Sequence, residues 1–213
     1  MRINSIESPK NNRNRFKLVF DDRRSIYVDS EILLAFHLKS DQQLTEEEFN
    51  KIVAQKDWSY WYNRTLNYLS FRPRSKKEIE AFLEKNKVPL SIQQKIIQKL
   101  EKYAFINDEV FARWFVDNQA KPKGKRRLEQ ELKLKGINKA IIEEVLKGQS
   151  IEDELQAAER LLSKKMSQWN HLPKEKRYQR MVSLLSRRGY DWSLINKLIK
   201  EKLGLRSEVD SDD

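Results

Sequence analysis

The chain of 213 residues contains no cysteine. That excludes a disulfide framework, a thiol nucleophile and a cysteine-ligated zinc site, and it suits a reducing interior. Its two histidines, His37 and His171, lie far apart without metal-ligand spacing. Five glycines and five prolines are few, which favours helices with much exposed surface over a compact all-β body. The longest apolar run, Ile32 to Phe36, falls far short of the ~20 residues of a membrane span. MRINSIESPKNNRNRF at the N-terminus lacks the apolar segment of a secretory signal, so the expectation is a soluble, cytoplasmic protein. No phosphate loop, dinucleotide glycine pattern or nucleophile elbow occurs, and GKRR at Gly124 lacks both the upstream glycine and the Ser or Thr of a phosphate loop. Carboxylates are spread along helix faces beside Lys and Arg. The reading is a non-catalytic protein with no cofactor, metal or small-molecule substrate.

Charge, by contrast, is abundant. Charged residues make up 35% of the chain, against about a quarter in average proteins, and apolar residues only 38%. Lys and Arg number 43 against 32 Asp and Glu, a formal charge of +11. A polyanionic partner is expected, the plain alternative being a soluble basic protein.

Near the N-terminus, FKLVF at 16–20 alternates, SIYV at 25–28 is β-prone, and DDRR lies between them; together they predict one small hairpin. A lone hairpin is marginal and must lean on other elements. Ser30 can cap a short helix through Glu31–Leu34. Thr45 and Glu48 form a capping box, with Leu44 stapling onto Phe49 and Ile52 and Val53 extending the apolar face. A separate aromatic helix follows. Its stripe of Trp58, Trp61, Tyr62, Thr65, Leu66 and Leu69 reads as core, with base stacking the alternative.

From there the chain repeats. Ser75, Gly124 and Arg177 anchor three units at spacings of 49 residues (75 to 124) and 53 (124 to 177). Apolar residues recur at fixed offsets from each anchor: Ile79, Leu128, Met181; Leu83, Leu132, Leu185; Ile92, Ile141, Leu194; Ile96, Val145, Leu198; Ile97, Leu146, Ile199. Two helices thus keep one separation three times. Lys87, Gly136 and Gly189 fall at the joint between them, where glycine suits a left-handed helix end, and Pro89 must help where Lys87 replaces it. A further helix precedes each pair: Trp58–Leu69, Val110–Asn118 capped by Asn107 or Asp108, and about Ile151–Met166 capped by Ser150 with Asp153. The third unit has a longer linker through Gln168–Pro173.

The expected fold is mainly α: three tandem three-helix repeats in an elongated, curved array behind the hairpin and its helices. The expected division is 1–56, then repeats at 57–106, 107–149 and 150–204, then an acidic disordered tail at 205–213.

In RPRSKKEIEAFL, Ser75 and Glu78 form a capping box and Ile79 and Leu83 a core face. That leaves the cations Arg72, Arg74, Lys76 and Lys77 unexplained. Lys121, Lys123, Lys125, Arg126 and Arg127 surround Gly124, and Lys174, Lys176, Arg177 and Arg180 hold the same place in the third unit. Cations in a first turn oppose the helix dipole, so their recurrence points outward, to nucleic acid or an acidic protein rather than a merely solvated face. An incoming anion would meet side-chain cations together with backbone N–H groups.

Three stretches, LNYLSFRPRSKKEIEAFL, LEKYAFINDEVFARWFV and KGKRRLEQELKLKGINKAIIEEVL, resemble the RecX regulatory family over roughly Trp58 to Leu203. The combination of R-x-R-S, D-x-x-F-A and G-x-x-x-L-x-x-E-L-x-x-x-G-I carries the likeness. Asn107 departs from it, standing where the family often has an acidic residue, and the third unit matches better in spacing than in letters. The resemblance implies a non-catalytic modulator that binds the RecA recombinase filament on single-stranded DNA, lies along its groove and suppresses strand exchange and ATP hydrolysis, in DNA repair and recombination; a monomer is expected. The alternatives are a sequence-nonspecific DNA-binding protein of helix-turn-helix-like units and a scaffold for acidic proteins.

Overall fold

The structure, a computed structural model, describes residues 1–8, 14–119 and 123–204. The expected acidic tail, 205–213, lies outside the described residues. Two compact units form, Met1–Arg72 with Glu80–Lys102, and Pro73–Ile79 with Tyr103–Asp213.

In the first unit the expected hairpin gains a strand. β1 (Ile3–Glu7) pairs antiparallel with β2 (Arg15–Phe20), which pairs antiparallel with β3 (Ser25–Asp29). β1 is illegible by alternation because a register shift between Ile3 and Ser5 breaks the two-residue period. Ile3, Leu18, Phe20 and Val28 are buried with Ile32, Leu38, Leu44 and Ile52, which is the support a small sheet requires.

α1 (Ser30–Ala35) is capped by Asp29 rather than Ser30, the Asp29 carboxylate accepting the Ile32 N–H at 2.9 Å. α2 (Glu46–Ser70) opens on the expected box, Thr45 accepting from the Glu48 N–H at 3.2 Å and Glu48 from the Thr45 N–H at 2.8 Å. It then runs unbroken through the expected joint at 56–57, so two expected helices are one. Ala54-Gln55-Lys56-Asp57 contains no glycine or proline to stop it. Its aromatic stripe packs inward by half: Trp58 and Tyr62 stack at 5.0 Å. The Lys99 ammonium lies 4.5 and 4.8 Å from the two ring centres.

α3 (Lys76–Lys85) and α4 (Leu90–Lys102) follow, with Lys87 between them at φ 57°. This lysine takes the left-handed conformation itself, and the Val88 N–H closes on the Leu83 carbonyl at 3.1 Å.

In the second unit, α5 (Asp108–Gln119), α6 (Lys125–Leu134) and α7 (Lys139–Lys147) bury Phe111, Phe115, Leu128, Leu132, Ile142 and Leu146. α8 (Ile151–Met166), a 3-10 turn (Ser167–Trp169), α9 (Lys174–Arg187) and α10 (Trp192–Leu203) bury Leu162, Met181, Leu185, Tyr190, Leu198 and Ile199. Every repeat position named from spacing is buried except Ile141 and Val145, which are half-buried. Gly136 and Gly189 both take φ 81° at the expected joints. No helix among the described residues is long and apolar enough to cross a membrane.

Candidate functional site

The basic helix starts of the second unit are built as joints. At α3 the buried Ser75 hydroxyl accepts the Glu78 N–H at 3.2 Å. The Lys76 N–H donates to the Asp108 carboxylate, in the first turn of α5, at 2.9 Å. Glu78 also receives the Lys135 ammonium at 2.6 Å. Gly136 presses on the Lys77 stem: a Cβ added there would lie 2.9 Å from the Lys77 Cβ.

The start of α6 repeats the arrangement. The Lys125 N–H donates to the Glu154 carboxylate, in the first turn of α8, at 3.0 Å. The Gly124 N–H donates to the Arg188 carbonyl at 2.9 Å and the Arg126 N–H to the Gly189 carbonyl at 3.2 Å. A Cβ on Gly124 would come within 2.4 Å of the Gly189 oxygen, and one on Gly189 within 2.4 Å of the Arg127 nitrogen. Only glycine fits either position. In both joints a carboxylate at the start of one three-helix group caps a helix of the group before it. That places a negative charge where the helix dipole favours one and offsets the cations in the same turn. The Lys76 and Lys125 N–H groups are therefore already used, so an external anion would meet side chains and not these amides.

Those side chains divide. Arg72, Arg74, Lys76 and Lys125 are half-buried, and Lys77 and Arg126 are exposed. Lys121 lies outside the described residues. Lys123 is drawn inward: its ammonium lies 2.6 Å from Glu131, with side-chain exposures of 19% and 18%, and 5.7 Å from the centre of the Phe115 ring. Arg127 pairs with the same Glu131 at 2.8 Å. Burial raises the Glu131 carboxyl, but hydrogen bonds from Lys123 and Arg127 and their charges outweigh it and hold the group below the ordinary glutamate range. On α9, Lys174, Lys176 and Arg180 are exposed, while Arg177 is half-buried with its Nε fully covered.

A cleft forms where the start of α6 meets the α9–α10 turn. Arg126, Arg127, Arg187, Tyr190, Trp192 and Ile195 contribute to its lining, and no carboxylate does. Trp192 stands 55% exposed and Tyr190 2%. Burial, then the nearby Glu154 charge, pushes the Tyr190 hydroxyl up to about 12 against the opposing pull of Arg188, so it keeps its proton at neutral pH. Arg187 and Trp192 were not singled out in the sequence. The signal for them was SRRGYDW, where two arginines and a tryptophan flank the joint glycine. Among the described residues no three His, Asp or Glu side chains gather to hold a metal ion. The arrangement is suited to ion pairing and ring contact.

Comparison with known proteins follows the same division. The RecX first three-helix domain matches residues 62–100, the second 107–146 and the third 152–199. Regulatory protein RecX of Bacillus velezensis is 30% identical over 213 residues, covering 99% of this chain and 79% of that protein. That of Listeria welshimeri is 34% identical over 193 residues, 89% of this chain and 71% of the relative. A crystal structure of regulatory protein RecX superposes with a TM-score of 0.74 at 25% identity, covering 94% of this chain and 98% of that one. RecX from Lactobacillus salivarius gives 0.61 at 27% identity, over 70% and 98%.

Proposed function

The chain belongs to the RecX family of regulatory proteins, and from that premise we propose that it binds the RecA recombinase filament on single-stranded DNA and lowers its strand exchange and ATP hydrolysis. It acts as a cytoplasmic monomer without chemistry of its own, through modules at 57–106, 107–149 and 150–204. The observation carrying this reading is the set of exposed cations Lys77, Arg126, Lys174, Lys176 and Arg180 on helices whose buried faces are otherwise accounted for. Such cations suit an anionic partner and steer its approach. Half-buried Arg72, Arg74, Lys76, Lys125 and Arg177 support them from the same helix starts.

The test adds the protein to RecA, single-stranded DNA and ATP and follows hydrolysis. Inhibition that saturates supports the reading; unchanged hydrolysis at saturating protein rejects it. A second reading, a nonspecific DNA-binding protein, is favoured by the helix pairs α6–α7 and α9–α10, each turning at a left-handed glycine. It calls for tight binding to naked DNA that weakens about 10³-fold between 50 and 200 mM salt if ~6 phosphates are contacted.

A further inference from the structure

We propose that the arginine-lined cleft at the α9–α10 turn is a base-stacking site for single-stranded nucleic acid, with Trp192 as the platform and Arg126 and Arg187 holding the flanking phosphates. This rests on the filament reading for the identity of the nucleic acid, and is tested without RecA so that the two fail separately.

Three features carry it. First, Trp192 opens α10 yet is 55% exposed, although the same helix buries Leu194, Ile195, Leu198 and Ile199. It contributes to the lining of the cleft while remaining open to solvent. Second, the lining brings together three guanidinium groups and no carboxylate. All three arginines are exposed; Arg127 is tied to Glu131 at 2.8 Å, and the Arg187 Nε donates to the Ser183 carbonyl at 3.2 Å, which leaves its two terminal nitrogens for a phosphate. A planar guanidinium grips a phosphate through two parallel hydrogen bonds, which a lysine cannot do. Third, the floor is fixed. Gly124, Gly189 and Arg127 are in such close approach that no Cβ fits on either glycine, and the buried Tyr190 supports them. A rigid floor holds the arginines and the ring in one geometry and lowers the ordering cost of binding. An aromatic face beside arginines suits an unpaired base and its backbone, because bases in a duplex are stacked on one another and cannot reach a ring.

The experiment titrates the full chain with an oligo(dT) strand, an abasic strand of equal length, and a duplex of that length. Binding is read by anisotropy, and Trp192 emission as the difference between the natural chain and Trp192→Phe. Expected are quenching of Trp192 by oligo(dT), weaker binding of the abasic strand, and a roughly tenfold loss of oligo(dT) affinity in Trp192→Ala, with Trp192→Phe close to the natural chain. Arg126→Gln and Arg187→Gln should each flatten the slope of log affinity against log salt by about 0.7. Circular dichroism verifies that each variant is folded. Equal binding of dT and abasic strands overturns the proposal, as does a folded Trp192→Ala with unchanged affinity. So does a duplex, or a polyglutamate peptide, that quenches Trp192 as strongly; the latter would assign the cleft to an acidic protein. If the cleft fails while RecA hydrolysis is still inhibited, the proposed function stands without it.

Discussion

The backbone N–H of Lys125 donates to the carboxylate of Glu154 at 3.0 Å, tying the first turn of α6 to the first turn of α8. Lys76 and Asp108 repeat the bond at 2.9 Å one joint earlier. A basic helix start is thereby capped from outside its own sequence. Glu154→Ala should lower stability by about 1 kcal/mol, the usual cost of losing a capping carboxylate, and Asp108→Ala by a similar amount. Urea unfolding of each variant measures this; unchanged midpoints would show that the bonds contribute nothing.

The two glycines of the second joint make a sharper case. Gly189→Ala places a Cβ 2.4 Å from the Arg127 nitrogen at φ 81°, so the joint must open or strain. A loss of about 2–3 kcal/mol is expected. Gly204→Ala is the control: it shares a left-handed φ of 62° but meets nothing within 4 Å, and should cost only about 1 kcal/mol. Thermal melts distinguish the pair. Equal losses would mean that backbone conformation alone, and not close approach, governs Gly189.

This joint marks the limit of what was legible in the sequence. Helix faces were readable because periodicity is local, and Leu128, Leu132, Met181 and Leu185 are buried as their spacing requires. The Ser75 and Thr45 capping boxes were readable for the same reason. Partners drawn from distant sequence were not. Glu154 lies 29 residues from Lys125, and nothing in QSIEDEL marks that carboxylate as a cap for another helix. β1 was hidden by its bulge, whereas the single long α2 was legible, since Ala54-Gln55-Lys56-Asp57 holds no stop signal and the expected break at 56–57 had none behind it. Of the cations, spacing gave the positions. That Lys123 turns inward depended on Glu131, which also pairs with Arg127 while leaving that side chain exposed.

Glu131 also makes stability depend on pH. Its folded carboxyl lies below the ordinary value of 4.5, since the hydrogen bonds from Lys123 and Arg127 outweigh the effect of burial. The contribution is therefore full above that ordinary value and is lost as pH falls through the lowered folded value. Glu131→Gln should be less stable than the natural chain at pH 7, and the difference should shrink between about pH 5 and pH 3. Urea midpoints across that range test the sign; a difference that grows as pH falls would contradict it.

The role proposed for the exposed cations of α9 is in partner binding and not in folding. Lys174→Ala, Lys176→Ala and Arg180→Ala combined should leave the melting temperature within about 5 °C, because each surface substitution of this kind falls within about 0.5 kcal/mol. The triple variant should raise the concentration needed for half-inhibition of RecA by several-fold. Inhibition titrations at two salt concentrations check it, since the gap should narrow as salt screens the lost charges.

The most direct measurement is the rate of ATP hydrolysis by RecA on single-stranded DNA across a titration of this protein. Regulation of the filament gives a saturable fall in rate at concentrations where naked single-stranded DNA is only weakly bound. A rate unchanged at saturating protein, alongside tight binding to naked DNA, would contradict it.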